Sequence, residues 1–316
     1  MSQSTAPPDR RWHLLRRMAW LCTALMLATI SLSAFMRLSQ AGLGCADWPA
    51  CYAQSLRAVQ QGEPAPTGHG VAAARLAHRV VASLTLVLVI MMTLTTLATK
   101  PVLKRTGALS LALLLLALAL ALLGIATPGA RLPAVAMGNL LGGFVMLALC
   151  WRLAASARPP SDTAPARLGA WAVAGLALLS GQLAGGALVS TSYAALSCSE
   201  LTECTRLAAA TGWDWGVLNP WREPLVEATA LPVNAGSAFA LWLHRIGAIV
   251  VLPVMGLLGL AAWRRGRRRG GAALLLLAGV QGVLGLLIVA SGLPLAAVLL
   301  HNLVAALLLA TLVRLV

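Results

Sequence analysis

The chain has 316 residues, of which 59% are hydrophobic and only 10% charged. Soluble domains carry charge on about a quarter of their residues, so that class is excluded. The formal net charge of +15 invites a nucleic-acid reading, but the distribution of the charge along the chain argues against one.

A membrane-spanning helix needs roughly 20 apolar residues. Eight segments qualify, at about 18–37, 71–98, 107–127, 132–154, 168–190, 237–263, 271–292 and 294–315. Pro133 and Pro294 fall in the short third-to-fourth and seventh-to-eighth connections, where proline breaks what would otherwise read as very long helices. Arg10, Arg11, Arg16 and Arg17 precede the first span, and Lys100, Lys104 and Arg105 follow the second. Arg152, Arg158 and Arg167 flank the loop after the fourth, Arg264, Arg265, Arg267, Arg268 and Arg269 follow the sixth, and Arg314 ends the eighth. All of these fall on one side of an eight-span arrangement. The other side carries Asp47, Glu63, Glu200, Glu203, Asp214, Glu223 and Glu227, seven of the nine acidic residues. This is the positive-inside pattern. It predicts a multi-pass protein of a bacterial cytoplasmic membrane, both termini cytoplasmic, with lipid rather than nucleic acid around it. The basic start resembles a signal peptide, but the first span is too long for one and no small-residue cleavage site follows. It reads as a retained helix.

The chain reads as a duplication. Gly42-Leu43-Gly44-Cys45 is echoed by Ala195-Leu196-Ser197-Cys198, with second cysteines at Cys51 and Cys204. Each pair precedes a helix carrying His-Arg, at His78-Arg79 and His244-Arg245. Each half then has a helix closed by Leu132-Pro133 or Leu293-Pro294, and a last helix with Asn139 or His301. The expected organisation is a basic tail (1–17), an N-terminal four-helix half (18–157), a proline-rich linker (158–167) and a C-terminal half (168–316). The fold class is all-α integral membrane, eight transmembrane helices forming two four-helix bundles related by a pseudo-two-fold axis. The longest loop, about 191–236, carries Trp213, Trp215 and Trp221. It reads either as a set of interfacial anchors or as a lid.

Cys22 and Cys150 lie within spans and read as small core residues. The other four cysteines sit in outward loops, where an oxidising compartment lets disulfides persist. The spacing suits Cys45–Cys51 and Cys198–Cys204 bridges. Four-cysteine zinc is disfavoured because structural zinc pairs have two to four intervening residues.

His78, Asn139, His244 and His301 lie seven or eight residues into helices that enter from the same side. At about 1.5 Å per residue they sit roughly 10–12 Å below the outer boundary. Ionisable residues at such depth are functional candidates. Imidazole is a common axial ligand of heme iron, and equal depth on equivalent helices suits a flat macrocycle clamped between His244 and His301. Gly247, Ala296 and Ala297 leave room for a ring. Hydrogen bonding between helices is the competing reading. No carboxylate or thiolate shares that level, which disfavours zinc or copper. Arg75, one turn before His78, either pairs with a heme propionate or extends to the interface.

With these residues in hand, the chain resembles the bacterial, eight-helix heme A synthase family over nearly its whole length. The resemblance is carried by Arg37-Leu-Ser-Gln-Ala-Gly-Leu-Gly-Cys45-Ala-Asp-Trp-Pro-Ala-Cys51, Leu76-Ala-His78-Arg79, Leu140-Leu-Gly-Gly143, Ser192-Tyr-Ala-Ala-Leu-Ser-Cys198, Leu243-His244-Arg245 and His301-Asn302. It implies an oxidoreductase that converts a ring methyl of heme O to the formyl group of heme A, by successive hydroxylation and loss of water. It implies a heme b cofactor with His244 and His301 as iron ligands, and a substrate heme whose iron meets His78. Implied partners are heme O, the farnesyltransferase that supplies it and a terminal oxidase under assembly; a homo-oligomer is compatible with it. Two positions depart from the family's pattern. Its second N-terminal histidine is Asn139 here, and its glutamate before the first histidine is Arg75. The substrate-heme pocket therefore has His78, Asn139 and Arg75 as candidates, and two readings follow. One is a variant synthase. The other is a catalytically altered heme-binding protein, for heme handling or cytochrome b-like electron transfer.

Overall fold

A computed structural model describes residues 8–63, 70–100, 102–127, 130–157, 169–224 and 235–316. Its α-helices are α1 (Pro8–Gln40), α2 (Gln54–Gln60), α3 (Val71–Thr93), α4 (Lys104–Ala126), α5 (Pro133–Ser156), α6 (Ala170–Thr191), α7 (Leu201–Ala210), α8 (Ala238–Arg264), α9 (Arg268–Ala290) and α10 (Leu295–Leu315). Eight of them are long and apolar enough to cross a membrane. These are the eight segments expected from hydropathy. The first begins earlier than expected, because Arg10 to Arg17 continue the helix rather than preceding it. A π-helical turn, Leu94–Ala98, extends α3. α5 opens on Pro133 and α10 follows Pro294 directly, since proline's fixed φ and missing N–H suit a first turn. The expected linker at 158–167 lies outside the described residues.

Each half closes into a ring of four long helices. In the first, α1 packs on α3, α3 on α4, α4 on α5 and α5 back on α1. In the second the order is α6, α8, α9, α10 and back to α6. Both halves thus run through the same order of helix contacts. The halves join through α5 and α10, with α1 and α6 beside them, and one buried cluster spans the junction through Leu147, Cys150, Leu153, Met255, Leu308 and Leu312. Cys22 and Cys150 lie in that cluster as free thiols, 3.1 Å apart, as their position within spans implied. The outer faces stay apolar: Leu115, Leu122 and Ile125 on α4, and Leu276, Val283 and Leu286 on α9, are exposed. So much exposed apolar surface marks a partner or a membrane, and lipid covers it in a chain of eight such helices.

The two ends of the bundle differ in chemistry. At the basic end, arginines satisfy carbonyls left free where helices stop. Arg11 donates to Thr95, Thr96 and Thr99 oxygens, Arg152 to Val313 O at 3.1 Å and Arg267 to Leu315 O at 2.6 Å. Cations there also suit the negative ends of the helix dipoles. The opposite end carries both cysteine loops, and each loop leans on the other half. Trp48 and Leu43 of the first loop pack with Tyr193, Leu196, Leu293 and Leu295. In return, Pro220 O of the second loop accepts from Ala134 N, at the start of α5, at 2.8 Å.

Candidate functional site

The cysteine loops form as the spacing suggested. Cys45 is bonded to Cys51 and Cys198 to Cys204, with Cα atoms 6.6 Å and 5.2 Å apart. Gly42, at φ 88°, is fixed by the first loop: a Cβ there would lie 2.3 Å from Cys51 O. Only glycine accepts that conformation and approach. The second loop is tied to α8 by Arg245, whose Nη1 donates to Ser199 O at 3.1 Å and lies 3.3 Å from Cys204 Sγ. Arg245 directly follows His244, so the residue that ties down the second disulfide loop shares a helical turn with that histidine. Trp213 packs edge-on to Phe239 and Trp242 at the start of α8, which makes this part of the long loop a cover on the bundle. Trp215 and Trp221 are exposed, as anchors would be.

His244 on α8 and His301 on α10 occupy opposite corners of the second ring. Each imidazole is met by a glutamine and a glycine from a neighbouring helix. Gln182 of α6 places Nε2 3.1 Å from His244 Nδ1 and donates to His244 O at 2.9 Å. One turn on, a Cβ at Gly186 would lie 2.7 Å from His244 Cε1. On the other side Gln281 of α9 places Nε2 3.0 Å from His301 Nε2, and a Cβ at Gly285 would lie 3.7 Å from His301 Cε1. The Gln–Gly spacing is one helical turn in both helices, so both side chains face the same way. Three buried polar atoms here have no hydrogen-bond partner among the described residues: His301 Nδ1, Gln281 Oε1 and Asn302 Nδ2. Buried polar groups are nearly always satisfied, so these orphans single out the surroundings of His301 as a candidate site. Neither glutamine was among the sequence candidates. The signal was present as Gln182-x-x-x-Gly186 and Gln281-x-x-x-Gly285.

The first ring is built differently. His78 of α3 is half-buried, and no hydrogen bond to it is found among the described residues. Asn139 of α5 donates from Nδ2 to Thr127 Oγ1, so its amide is engaged locally. Arg75 and Arg79 are exposed, the arrangement expected of arginines that extend to an interface.

A family model described as cytochrome oxidase assembly protein matches residues 16–313. The chain is also similar to the heme A synthase of Shewanella oneidensis, 33% identical over 329 residues, covering 94% of this chain and 95% of that protein. The chain belongs to the heme A synthase family. The candidate residues that the sequence resemblance singled out lie in both rings, His78 and Asn139 in the first and His244 and His301 in the second. The described residues of the second ring keep two imidazoles facing inward. Those of the first keep one imidazole and an amide.

Proposed function

We propose that this chain is a membrane enzyme of heme A biosynthesis. It oxidises the ring methyl of heme O to a formyl group, with a heme b cofactor held by His244 and His301. The observation that carries this reading is the matched pair of histidine cradles. Two inward imidazoles on opposite corners of one ring, with Gly186 leaving room beside His244, are residues that would hold a heme iron. The orphaned His301 Nδ1 and Gln281 Oε1 are polar atoms for which a bound group and a rearranged hydrogen bond would supply partners. A heme b held there would supply one-electron transfer.

The protein residues have definite tasks in this reading. His244 offers Nε2, because Gln182 engages Nδ1. A half-turn of the Gln182 amide presents its oxygen to a protonated Nδ1, the usual outer partner of a ligating histidine. His301 meets Gln281 through Nε2, so ligation by that nitrogen requires the Gln281 amide to swing off it. In the first ring His78 meets the iron of the substrate heme. A tail as long as a farnesyl chain reaches that site through the apolar flank of the bundle. Following the charge pattern, we assign the basic end to the cytoplasm and the cysteine loops to the outer side of the bacterial cytoplasmic membrane. The supplying farnesyltransferase and an oxidase under assembly are the partners this role requires.

A second reading is favoured by one observation: Asn139 is engaged with Thr127 and Arg75 is exposed, so the first ring lacks two groups that the family pattern places there. In that reading the chain binds heme in the second ring and handles or relays it without making heme A. Heme extraction and chromatography after co-expression with a heme O source decides between them. Heme A in the extract is the expected result, and heme b alone would sink the synthase reading in favour of the second.

A further inference from the structure

Arg37 is a cation with no carboxylate facing it among the described residues. It lies in the last turns of α1 at the cysteine-loop end, where α1, α6 and the first loop meet. The side chain keeps some accessible surface, but its guanidinium lies deep among its neighbours. Its hydrogen-bond partner is the hydroxyl of Ser190 on α6. The single ion pair among the described residues joins Arg222 to Asp214, elsewhere in the second loop. Tyr52 and Tyr193, whose rings meet edge-on at 5.6 Å, lie near Arg37. Burial pushes Tyr193 up to about 12 and raises Tyr52 as well, so both phenols stay neutral and neither offsets the charge. A buried cation without a counter-ion is costly, and such positions are held for an anion that arrives with a ligand.

The place of Arg37 says which ligand. Gln182, Gly186 and Ser190 follow one another at single-turn intervals on α6, and so form one stripe. Gln182 and Gly186 face His244, and Ser190 faces Arg37. Four residues at 1.5 Å each put the guanidinium level about 6 Å beyond the histidine cradle, toward the cysteine loops. The orphaned polar atoms of the second ring lie at the cradle. A planar ligand with its metal at His244 and His301 and a carboxylate on one edge meets both features at once. We propose that Arg37 binds a propionate of the porphyrin held in the second ring, and orients that porphyrin with its carboxylate edge toward the cysteine loops. This rests on the reading that His244 and His301 hold a heme. Arginine suits the task because its planar fork matches a carboxylate, and Ser190 holds it in place. Tyr52 joins the first cysteine loop to the same pocket, so that loop from one half closes over the carboxylate end of the other half's site.

The test compares full-length wild type with Arg37→Gln and Arg37→Lys, each prepared without heme and titrated with hemin and with hemin dimethyl ester. Wild type should favour the free acid over the ester. Arg37→Gln should lose about tenfold in affinity for the acid and nothing for the ester, while Arg37→Lys keeps the preference. Loaded Arg37→Gln should also shift its ferrous-to-ferric ratio about tenfold toward ferric at fixed potential, from the lost positive charge near the iron; that is about 59 mV for one electron. Equal acid and ester affinity in wild type, or a preference unchanged in Arg37→Gln, overturns the proposal. A porphyrin that still binds His244→Ala and His301→Ala as well as wild type overturns the heme reading instead, so the two failures are distinct.

Discussion

The two rings share one helix order and differ in what they place at its centre. Aligning Cys45 with Cys198 puts Thr29, Leu32 and Ser33 where the second half has Gln182, Gly185 and Gly186. Aligning Asn139 with His301 puts Ala119 and Leu123 where it has Gln281 and Gly285. The substitutions have structural consequences. Thr29 returns its hydroxyl to Leu25 O of its own helix. Leu120 and Leu123 press on Gly142 and Gly138 of α5, where added Cβ atoms would come within 2.5 Å and 2.8 Å of them. In the second ring Gly186 makes room for the His244 imidazole, and in the first Gly138 and Gly142 make room for leucines. The two halves share the order in which their helices pack and differ in the side chains at their centres. One is a polar cradle with two histidines, and the other an apolar wall with one.

The largest effect that can break this comparison is loss of a proposed ligand. His244→Ala or His301→Ala should abolish a low-spin heme b spectrum altogether, whereas His78→Ala should leave it intact. Pyridine hemochrome and absorption spectra of purified protein check this. A spectrum that survives the first two changes, or disappears with the third, would place the resident heme in the wrong ring.

Removing an outer partner should do less. Gln182→Leu fills the same space and leaves His244 Nδ1 unpaired. It should weaken heme retention about tenfold, the lower end of what outer-shell partners contribute at metal sites. Thr29→Leu, at the matching position of the first ring, should leave retention unchanged. A competition assay with an apo-heme acceptor reads both, and equal retention in all three proteins would show that the glutamine only packs.

Much of this difference was legible before any coordinates. Eight apolar runs set the helices because only a helix satisfies its backbone within lipid, and proline marked two of the breaks. His244, His301 and Asn139 stood out because polar groups at that depth are rare. The glutamines did not stand out. A glutamine in an apolar helix has no periodic partner in its own segment, and its meaning comes from an imidazole on another helix. Arg37 was hidden for a similar reason. At a helix end an arginine reads as an interfacial residue until the neighbouring half is seen to close around it. Arg75 remained open between ligand and interface in the sequence, and its exposure in the fold supports the interface.

The next test works from the weaker ring. Asn139→His together with Arg75→Glu restores both groups of the family pattern. If the first ring is a divergent synthase site, the double variant should raise heme A several-fold over wild type when co-expressed with a heme O source, measured by chromatography of extracted hemes. An unchanged yield means that the leucine wall, and not the two missing groups, limits the first ring.

The smallest effect separates the two cysteine loops by pH. The second loop runs into α7, whose first turn is held by Glu203: its Oε2 accepts from Ser199 N at 2.7 Å and Ser199 Oγ at 2.6 Å. These bonds hold the carboxyl below its ordinary value. They also place an acid at a helix N-terminus, where the dipole favours it. A carboxyl depressed in the folded state stabilises fully above its ordinary value, and that contribution fades as pH falls through the depressed one. In the first loop no hydrogen bond to the Asp47 carboxyl is found among the described residues; Gly42, the Cys45–Cys51 bond and the ring contacts of Tyr52 with Trp48 and Tyr193 hold the loop. Acidification from pH 6 to pH 3 should therefore lower the protection of backbone amides across residues 198–204, measured relative to their intrinsic exchange rate at each pH, and leave the protection of 41–53 unchanged. Ser199→Ala should weaken that pH dependence. Equal loss of protection in both loops would mean that the cover over the second ring is loosened from the bundle as a whole and not through α7.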